Sequence, residues 1–436
     1  MAYDIVIGRD AADKARFGDK GLIFLGKGYV KMGHYTSLSN KIWLDVARSH
    51  VILIAGKRGT GKSYTLAAIA EELSNLPEEN RQNIAPFIFD TMGIFWTMKF
   101  ENQKERPLLD QWGLKTKSLP VKVFVPFGRQ EFYEDKGIPF DHTFALKVSE
   151  LAAEDWISLF NLDMTSLPGV LIERVITALL SRHLPFMIED IQRSIEQDEK
   201  ARPETKEIAS ALFAAAETWG IFSTTSEGTA LDDLLTAGTT TVLDISSYSS
   251  TATFNIRALV ISLLSKKMFQ DRMDARKKEE LEAIQGGQEY LTSSGKRDKP
   301  LIWIFIDEMH EFMPREGKTP ATDALMQLLR EGRQPGISLV MATQQPGQIH
   351  RDVMTQSDIV IAHRLTAKSD IDALNEIMQT YLIENIRQQM DDLPSEKGSA
   401  LLLDDNSERL YPLRVRPRFT WHGGEAPVSL RTDLFI

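Results

Sequence analysis

One eight-residue segment constrains the fold of this chain more than any other feature. Residues 56–63 read GKRGTGKS and match the pattern G-x-x-x-x-G-K-[ST] in full. A continuous apolar run, Val51 to Ala55, comes directly before the segment, and an amphipathic helix is predicted directly after it, ending near Leu73. In this arrangement, successive backbone N–H groups and the N-terminus of the helix bind phosphate. The segment therefore predicts a phosphate-binding loop between a buried strand and a helix.

The residue types in the loop indicate ATP and Mg²⁺ as its ligands. The predicted nucleotide-binding set is Gly56, Lys57, Arg58, Gly59, Thr60, Gly61, Lys62, Ser63 and Tyr64. Lys62 is predicted to reach the β- and γ-phosphates, and the Ser63 hydroxyl is predicted to ligate Mg²⁺. The alternative is a glycine-rich turn that binds nothing, and the agreement of motif, strand and helix argues against it. The charge of Arg58 is also explained by a position facing solvent or a neighbouring subunit.

A pair of acidic residues follows a second apolar run, LIWIFI at 301–306. Asp307 is predicted to coordinate Mg²⁺, directly or through a bound water. Glu308 is predicted to be the general base that orients the attacking water. Acidic residues also end strands where the chain simply returns to solvent, but the complete phosphate loop favours the catalytic interpretation. The long separation of Lys62 from Asp307 argues against the compact P-loop kinases and GTPases.

Three further candidates lie close to the next predicted strand, GISLVMAT at 336–343. Gln344 follows this strand and is predicted to sense the γ-phosphate and position the attacking water, or else to be an ordinary loop residue. Arg330 and Arg333 precede the strand, near a helix end. One of them, preferably Arg333, is predicted to be an arginine finger that stabilises charge on the γ-phosphate of a neighbouring subunit. Pairing with the helix dipole is the alternative.

The pattern of apolar residues predicts the order of the structural elements. Short strands are predicted at 4–9, 21–32 and 41–46, buried strands at 51–55, 86–90, 240–245, 301–307, 336–343 and 358–365, and a series of amphipathic helices from about 149 to 235. A long helix is predicted from about 253 to 283, and residues 285–299 are predicted to form a mobile loop. The buried strands have continuous rather than alternating apolar runs, which indicates a parallel sheet covered on both faces.

Composition limits the class of protein and its location. The chain has 42% apolar and 26% charged residues, which is ordinary for a folded soluble protein. The absence of cysteine excludes disulfides, thiolate metal sites and cysteine nucleophiles, and is expected in a reducing compartment. The N-terminus has no signal-peptide pattern, and no apolar stretch reaches the length of a membrane span. A cytoplasmic protein without membrane contact is expected.

The net charge of −10 argues against a chain coated in basic surface for general nucleic-acid binding. Any contact with DNA is therefore expected to be local, for example at a ring pore that concentrates a few cations from each subunit. The candidate cations are Lys296, Arg297 and Lys299, then Arg315 and Lys318, and finally Arg414, Arg416 and Arg418 on a predicted C-terminal strand. Solvated loops explain the first two groups as well, and ion pairs explain the third.

Six segments carry a resemblance to a known family: GKRGTGKSYT at 56–65, FDTMGIFW at 89–96, VLDIS at 242–246, IDEMHEF at 306–312, REGRQPGISLVMATQQPGQI at 330–349 and RVRPRFTWHGG at 414–424. In their order and spacing they resemble the HerA branch of the FtsK/HerA superfamily of hexameric DNA-translocating ATPases. The resemblance extends from about residue 45 to the end of the chain. It is far more specific than the phosphate loop alone.

The resemblance implies a homohexamer with ATP at the subunit interfaces and DNA in the ring pore. It implies phosphate and Mg²⁺ roles for Lys62 and Ser63, a Mg²⁺ role for Asp307, a base in Glu308, a sensor in Gln344 and a trans finger in Arg333. His310 matches the acidic-acidic-x-His stretch of the family and is assigned no catalytic role. The N-terminal β-barrel of the family normally occupies more sequence than this chain has before its core.

The predicted fold class is α/β, a RecA-like P-loop NTPase core with a mostly parallel sheet, an inserted helical subdomain and a short N-terminal β element. The predicted domains are a reduced barrel-like element at 1–45, a first segment of the ATPase core at 46–148, the helical insertion at 149–235, a second segment of the ATPase core at 236–420 and a tail at 421–436.

Two functions remain open at this point. The first is an ATP-driven DNA translocase or helicase that works with a nuclease or another effector protein, in DNA end processing or in antiviral defence. The second is a ring scaffold whose nucleotide state assembles and activates an effector subunit without processive translocation.

Overall fold

A computed structural model describes residues 3–32, 35–225, 227–248, 255–285, 296–377 and 385–424 of the chain. Within these residues the strands are β1 (Ile5–Ile7), β2 (Leu22–Met32), β3 (Tyr35–Asp45), β4 (Val51–Ala55), β5 (Ile84–Asp90), β6 (Val121–Pro126), β7 (His142–Phe144), β8 (Thr240–Asp244), β9 (Leu301–Ile306), β10 (Ile337–Thr343), β11 (Ile359–His363), β12 (Ser399–Asp404) and β13 (Arg409–Val415).

The α-helices of the same residues are α1 (Ala11–Phe17), α2 (Lys62–Ser74), α3 (Glu78–Arg81), α4 (Arg106–Gln111), α5 (Gln130–Asp135), α6 (Ala153–Leu159), α7 (Leu167–Leu180), α8 (Ile188–Gln197), α9 (Pro203–Glu217), α10 (Leu231–Leu234), α11 (Ile256–Gln285), α12 (Thr322–Glu331), α13 (Arg351–Gln356), α14 (Lys368–Ile377) and α15 (Asn385–Asp391). Short 3₁₀ helices lie at Phe95–Lys99, Phe127–Arg129, Val148–Glu150, Ser246–Tyr248, Met309–Glu311 and Pro346–Gln348.

All thirteen strands of the described residues form one sheet, in the order β1-β3-β2-β13-β12-β11-β4-β10-β9-β5-β8-β6-β7. The strands from β11 to β7 in this order run parallel to one another. Apolar side chains are buried on both faces, because Val51 and Leu53 of β4 pack on one side while Ile52 and Ile54 pack on the other. The predicted α/β class with a mostly parallel sheet is confirmed.

The first three strands continue the core sheet through the antiparallel hairpin of β12 and β13. Strand β2 pairs antiparallel with both β3 and β13, and β12 pairs antiparallel with β11. The contact between β2 and β13 is close, since a Cβ atom on Gly26 would lie 2.2 Å from the carbonyl oxygen of Arg414. A side chain at Gly26 would therefore separate the N-terminal strands from the core.

The helices α6 to α10 lie between β7 and β8 in the chain and pack around a cluster of aromatic side chains. Trp156 is fully buried, and its ring centroid lies 4.9 Å from that of Phe213 and 5.0 Å from that of Phe222. This cluster is continuous with the core on one face of the sheet. The helices predicted between 149 and 235 are therefore present, while the predicted domain boundaries stay predictions.

Several elements differ from the sequence-based expectations. Strands β6, β7 and β12 were not predicted, and β3 begins at Tyr35 rather than at 41. The predicted C-terminal strand is β13, which ends at Val415, before Arg416 and Arg418. The long helix α11 begins at Ile256 and continues to Gln285. Residues 286–295 of the predicted loop lie outside the described residues.

A buried carboxylate joins the phosphate-loop helix to the C-terminal segment. Glu71 of α2 accepts hydrogen bonds from Arg416 Nη2 and Arg418 Nε, each at 3.0 Å, and from the backbone N–H groups of Phe419 and Thr420. Burial alone would raise the pKa of Glu71, but Arg418 and Arg416 outweigh it and lower the pKa.

This cluster corrects the candidate role of two arginines in DNA binding. The side chains of Arg416 and Arg418 are 0% and 1% exposed, so neither guanidinium is available to a phosphate backbone. Arg414 lies 2.5 Å from a carboxylate oxygen of Glu396. The alternative explanation, ion pairing, therefore describes all three arginines.

A second buried network links the N-terminal strands to the core. Arg9 Nη2 lies 2.5 Å from Asp45 Oδ1, and His50 Nδ1 lies 2.7 Å from Asp358 Oδ2. Asp45 Oδ2 is 3.6 Å from His50 Nε2, too far for a hydrogen bond, so Asp45 acts on the ring through its charge. Burial alone would lower the pKa of His50, but Asp358 and Asp45 raise it to about 9.

We predict that Glu71→Ala destabilises the fold by about 3–5 kcal/mol, because it leaves the buried guanidinium of Arg418 without its carboxylate and that of Arg416 with Glu72 alone. The free energy of unfolding in urea is the measurement. Lys318→Ala, which removes an exposed ion pair with Asp323, is the control and is expected to change it by less than about 0.5 kcal/mol. Equal effects of the two substitutions would contradict the prediction.

We predict that the stabilising contribution of His50 depends on pH. Its folded-state pKa of about 9 exceeds the ordinary value of 6.5, so the contribution is complete below pH 6.5 and is lost as the pH rises through 9. His50→Asn should therefore lose about 3 kcal/mol relative to wild type at pH 6, and much less at pH 9. Urea unfolding across this range measures the difference, with the exposed His183→Asn as control. A difference that does not change with pH would refute it.

Candidate functional site

The phosphate loop leaves β4 and turns into α2 with a backbone that requires glycine. Gly59 and Gly61 have φ angles of 80° and 112°, which side-chain-bearing residues rarely adopt. A Cβ atom on Gly56 would lie 2.7 Å from both the Cβ of His363 and the Oγ1 of Thr60. The loop is therefore packed tightly at its first glycine and turns sharply at the other two.

Two backbone hydrogen bonds fix the loop to the ends of the neighbouring strands. The N–H of Gly56 donates to the carbonyl of Thr343 at 3.3 Å, and the N–H of Lys57 donates to the carbonyl of Arg364 at 3.2 Å. Thr343 ends β10 and Arg364 follows β11, so the loop is attached to both strands beside β4. The start of the loop is therefore held in place by the carboxyl ends of β10 and β11.

Three side chains predicted to hold phosphate and Mg²⁺ come together at this edge. The side chain of Ser63 donates a hydrogen bond of 2.5 Å to Asp307 Oδ2, across a long separation in the chain. Lys62 is only 6% exposed, and its Nζ lies 3.4 Å from the carbonyl of Lys57. Burial lowers the pKa of Lys62, while Glu308 and Asp307 act in the opposite direction.

Glu308 combines an unusual backbone conformation with a buried carboxylate oxygen and a raised pKa. Its φ of 51° and ψ of 46° place a non-glycine residue in the left-handed region, and its N–H donates to Asp307 Oδ1 at 2.9 Å. Oε2 is buried and has no hydrogen-bond partner among the described residues. Burial, together with the charge of Asp307, raises the pKa of Glu308 to about 7, although Lys62 opposes the shift. A buried carboxylate oxygen without a hydrogen-bond partner indicates a functional role.

Gln344 and His310 border the same carboxylate. A hydrogen bond from the backbone of Gln344 favours the ionised form of Glu308. His310 Nδ1 lies 3.2 Å from Thr343 Oγ1 and 3.5 Å from Glu308 Oε2. Burial lowers the pKa of His310. The end of β10 is thus in contact with the residues that follow β9.

His363 is a residue of the site that the sequence did not indicate. Its Nδ1 donates to the carbonyl of Ser399 at 3.0 Å, which leaves Nε2 to accept the hydroxyl of Thr65 at 2.9 Å. Complete burial lowers its pKa to about 4, so the ring is neutral. His363 packs against Gly56, since a Cβ atom added to that glycine would lie 2.7 Å from His363 Cβ. A lone histidine at a strand end carries no motif that would have found it.

The two candidate finger arginines lie far from the phosphate loop of their own chain. Both precede β10, whereas the loop follows the last residue of β4, and the two strands run parallel with Leu339 opposite Val51 and Thr343 opposite Ala55. Five residues of strand correspond to about 17 Å, so the arginines and the loop lie at opposite edges of the sheet.

Arg330 and Arg333 are both exposed and paired within the chain. Arg330 Nε donates to Asp352 Oδ2 at 2.7 Å, and Arg333 Nη2 lies 3.2 Å from Asp358 Oδ1. Their catalytic roles stay predictions.

Of the remaining residues predicted to contact the nucleotide, two are exposed to solvent and Tyr64 is hydrogen-bonded within the chain. Lys57 and Arg58 are exposed at the edge of the loop. The hydroxyl of Tyr64 donates to Glu105 Oε2 at 2.7 Å and accepts the N–H of Arg418 at 2.6 Å. The phenol of Tyr64 therefore holds the C-terminal segment, and its predicted contact with nucleotide stays a prediction.

Most candidate DNA-binding cations near the loop 296–318 are paired within the chain. Arg297 pairs with Glu279, Lys299 with Asp232 and Asp271, Lys318 with Asp323, and Arg315 Nη1 donates to the carbonyl of Gly347. Lys296 is exposed. To bind DNA, each paired cation would have to leave its carboxylate or carbonyl partner and contact a phosphate of the DNA backbone instead.

The residues at this edge fit ATP and Mg²⁺. The glycine cradle, buried Lys62 and the unpartnered oxygen of Glu308 suit a triphosphate and an attacking water, while the oxygens of Ser63 and Asp307 are hard ligands of the kind that Mg²⁺ takes. Within the described residues, no group of three or more His, Cys, Asp or Glu side chains is arranged to hold a metal ion. Mg²⁺ beside a nucleotide needs only one or two protein ligands, since phosphate oxygens and waters supply the others.

Two family models match the chain. Residues 30–267 match the central domain of helicase HerA, and residues 285–398 match the HerA-like helicase C-terminal region. The chain belongs to the HerA helicase family. The predicted relationship with the HerA-like ATPases of the FtsK/HerA superfamily is thereby confirmed.

Curated relatives match over short stretches. The DNA double-strand break repair helicase HerA of Pyrococcus furiosus is 24% identical over 148 residues, which are 32% of this chain and 24% of that protein. The probable DNA double-strand break repair helicase HerA of Methanocaldococcus jannaschii is 33% identical over 72 residues, 16% of this chain and 14% of that protein. The matched region thus spans a quarter or less of the length of these HerA proteins.

Two solved structures share the fold over most of their length. VirB4 of Thermoanaerobacter pseudethanolicus has a TM-score of 0.54 at 13% identity and covers 92% of this chain and 97% of its own. The bacterial conjugative coupling protein TrwBΔN70, in its unbound form, has a TM-score of 0.50 at 11% identity and covers 88% of each chain. At such identities they show the fold alone. Among the helices of the described residues, none is both long and apolar enough to cross a membrane.

We predict that Gly56→Ala lowers the affinity for ATP by about tenfold or more, because the added methyl group would overlap His363 and Thr60 and displace the loop. Equilibrium binding of a fluorescent ATP analogue in Mg²⁺ measures the affinity. Gly113→Ala is the control: its φ is also positive, at 70°, but no atom lies within 4 Å of the added Cβ. Equal affinities of the two variants would show that the close packing at Gly56 is unimportant.

Proposed function

We propose that this HerA family chain hydrolyses ATP with Mg²⁺ and uses the energy to move DNA as a homohexameric ring. The observation that carries the proposal is the hydrogen bond of Ser63 to Asp307, next to Glu308 with its unpartnered oxygen Oε2. The matched relatives are DNA double-strand break repair helicases, which supports DNA as the substrate of the motor.

The residues of one subunit divide the chemistry among them. Lys62 and the loop N–H groups bind the phosphates, and Ser63 and Asp307 hold Mg²⁺, which offsets phosphate charge. Glu308 accepts a proton from the attacking water; its buried position keeps bulk water from competing for the carboxylate. Gln344, whose backbone already contacts Glu308, positions that water.

The neighbouring subunit completes the site. Arg333, or Arg330 as the second candidate, extends from the opposite edge of the sheet towards the γ-phosphate of the next subunit in the ring. A cation there stabilises the charge that develops on the γ-phosphate in the transition state. The phosphate loop and the two arginines lie on opposite sides of one subunit. A closed ring therefore brings the arginines of each subunit next to the phosphate loop of its neighbour.

The remaining elements of the proposal concern partners and location. DNA passes through the ring pore, and a nuclease or another effector protein works with the ring in DNA end processing or antiviral defence. We place the protein in the cytoplasm, in keeping with a chain that has no cysteine.

A second candidate function is a ring scaffold that assembles and activates an effector without processive translocation. One observation favours it: the candidate DNA-binding cations Arg297, Lys299 and Lys318 pair with carboxylates of their own chain, and the net charge is −10. A surface of this kind attracts DNA weakly.

We predict that Lys62→Ala abolishes ATP binding, whereas Glu308→Gln retains ATP but lowers kcat by about 100-fold or more, since only the base is lost. Steady-state ATP hydrolysis with and without duplex DNA, together with nucleotide retention, measures both effects. Lys115→Ala, an exposed lysine remote from the loop in sequence, is the control and should behave as wild type.

The same assay separates the two functions. Stimulation of wild-type hydrolysis by duplex DNA supports the motor. Hydrolysis that is indifferent to every nucleic acid tested would contradict the motor. An effector that is activated equally by Glu308→Gln and wild type would then favour the scaffold.

A further inference from the structure

Arg333 is held by a carboxylate that also belongs to the buried network of the fold. Asp358 Oδ1 lies 3.2 Å from Arg333 Nη2 and accepts the backbone N–H of Val51 at 2.8 Å, while Oδ2 lies 2.7 Å from His50 Nδ1. Arg333 Nη2 also donates to the carbonyl of Gln356 at 3.2 Å. One carboxylate thus contacts the candidate finger, the start of β4 and a buried ring.

The network continues inward with alternating charge. His50 lies between Asp358 and Asp45, and Asp45 pairs with Arg9. The side chains of Arg9, Asp45 and His50 are at most 4% exposed, that of Asp358 is 19% exposed and that of Arg333 is 47% exposed. The exposed fraction of the side chains therefore increases from the buried Arg9, Asp45 and His50 through Asp358 to Arg333. The guanidinium of Arg333 reaches the surface while its carboxylate partner is held by buried residues.

The neighbours of the imidazole ring leave it little freedom. The ring packs against Gly8, where an added Cβ would lie 2.8 Å from His50 Cε1, and its centroid lies 6.5 Å from that of Trp303. The backbone N–H of His50 donates to Ser338 Oγ at 3.1 Å. Asp358 is therefore held by a ring that is confined between Gly8, the residue after β1, and Trp303 of β9, on a backbone fixed to β10.

We propose that Asp358, held in place by His50, positions Arg333 for the phosphate loop of the neighbouring subunit. The inference rests on the proposed function, in which Arg333 acts in trans. Asp358 and His50 touch neither nucleotide nor metal in this account. They are positioning residues, and their effect reaches the reaction only through the arginine.

The second contact of Asp358 explains how the arginine can act without a large energetic penalty. A buried carboxylate that loses its only cation is destabilising. When Arg333 moves towards a γ-phosphate, Asp358 keeps His50 and the N–H of Val51, so its charge remains compensated. The alternative finger differs in this respect, because Arg330 pairs with Asp352 at the surface and outside this network.

Rings that mix two variants test the proposal. Lys62→Ala destroys the loop of a subunit but leaves its arginine, whereas Asp358→Asn is expected to impair the arginine and leave the loop. An interface with a loop from the second variant and an arginine from the first is then intact. Mixing the two should raise ATP hydrolysis per subunit several-fold above the mean of the separate proteins.

Three further measurements accompany the mixture. Asp358→Asn alone should lower kcat by about tenfold or more with little change in KM, because a displaced arginine affects the transition state rather than ATP binding. Arg333→Ala mixed with Lys62→Ala is the reference for a trans arginine. Asp323→Asn, an exposed aspartate of α12, is the matched control and should show wild-type hydrolysis.

The outcomes separate this inference from the proposed function. If Arg333→Ala and Lys62→Ala show no gain on mixing, the trans arginine of the proposed function is wrong. If that mixture gains and the Asp358→Asn mixture does not, Asp358 does not act through Arg333 and the inference is overturned.

If Asp358→Asn does not retain ATP, we interpret this as loss of the fold, and the variant cannot be used. A conservative variant then tests the proposal. Asp358→Glu keeps the charge but moves the carboxylate by one methylene group. Reduced kcat and a gain on mixing with Lys62→Ala support the inference. Wild-type activity, or reduced activity without a gain on mixing, overturns it.

Discussion

The hydrogen bond between Ser63 and Asp307 is the contact on which the site depends. It joins the first turn of α2 to the residue after β9, and it spans β10, which lies between β4 and β9 in the parallel sheet. That strand order brings the phosphate loop, the acidic pair and Gln344 to one edge. It also places Arg330 and Arg333, which precede β10, towards the other edge; in the proposed ring, one subunit would then supply half of each of two sites.

Sequence motifs were able to predict which residues meet at this edge because each motif is local in the chain. The phosphate loop, the acidic pair and the buried strands each depend on residues that are neighbours in the chain, and periodicity or residue type reveals them. Glu308 shows the limit of such reasoning. Its position after β9 was predictable, but its left-handed backbone and its unpartnered oxygen follow from packing that no motif encodes.

The contacts that were missed join residues far apart in the chain. Glu71 with Arg416, His50 with Asp358, and His363 with Thr65 each connect different elements of the sheet and its helices. A single charged residue in a sequence looks the same whether it is solvated or buried against a partner. For this reason Arg416 and Arg418 appeared as candidates for DNA binding, although the fold uses both to secure the phosphate-loop helix.

The pairing of β2 with β13 has a consequence for biosynthesis. The edge of β2 that binds β13 has no partner until residues 409–415 have left the ribosome, long after β2 itself has been made. Pairing at such separation is slow, and an open strand edge invites association with other chains. The nascent chain must therefore protect this strand edge while the core between β2 and β13 is synthesised, and products truncated before β13 should be the ones that aggregate.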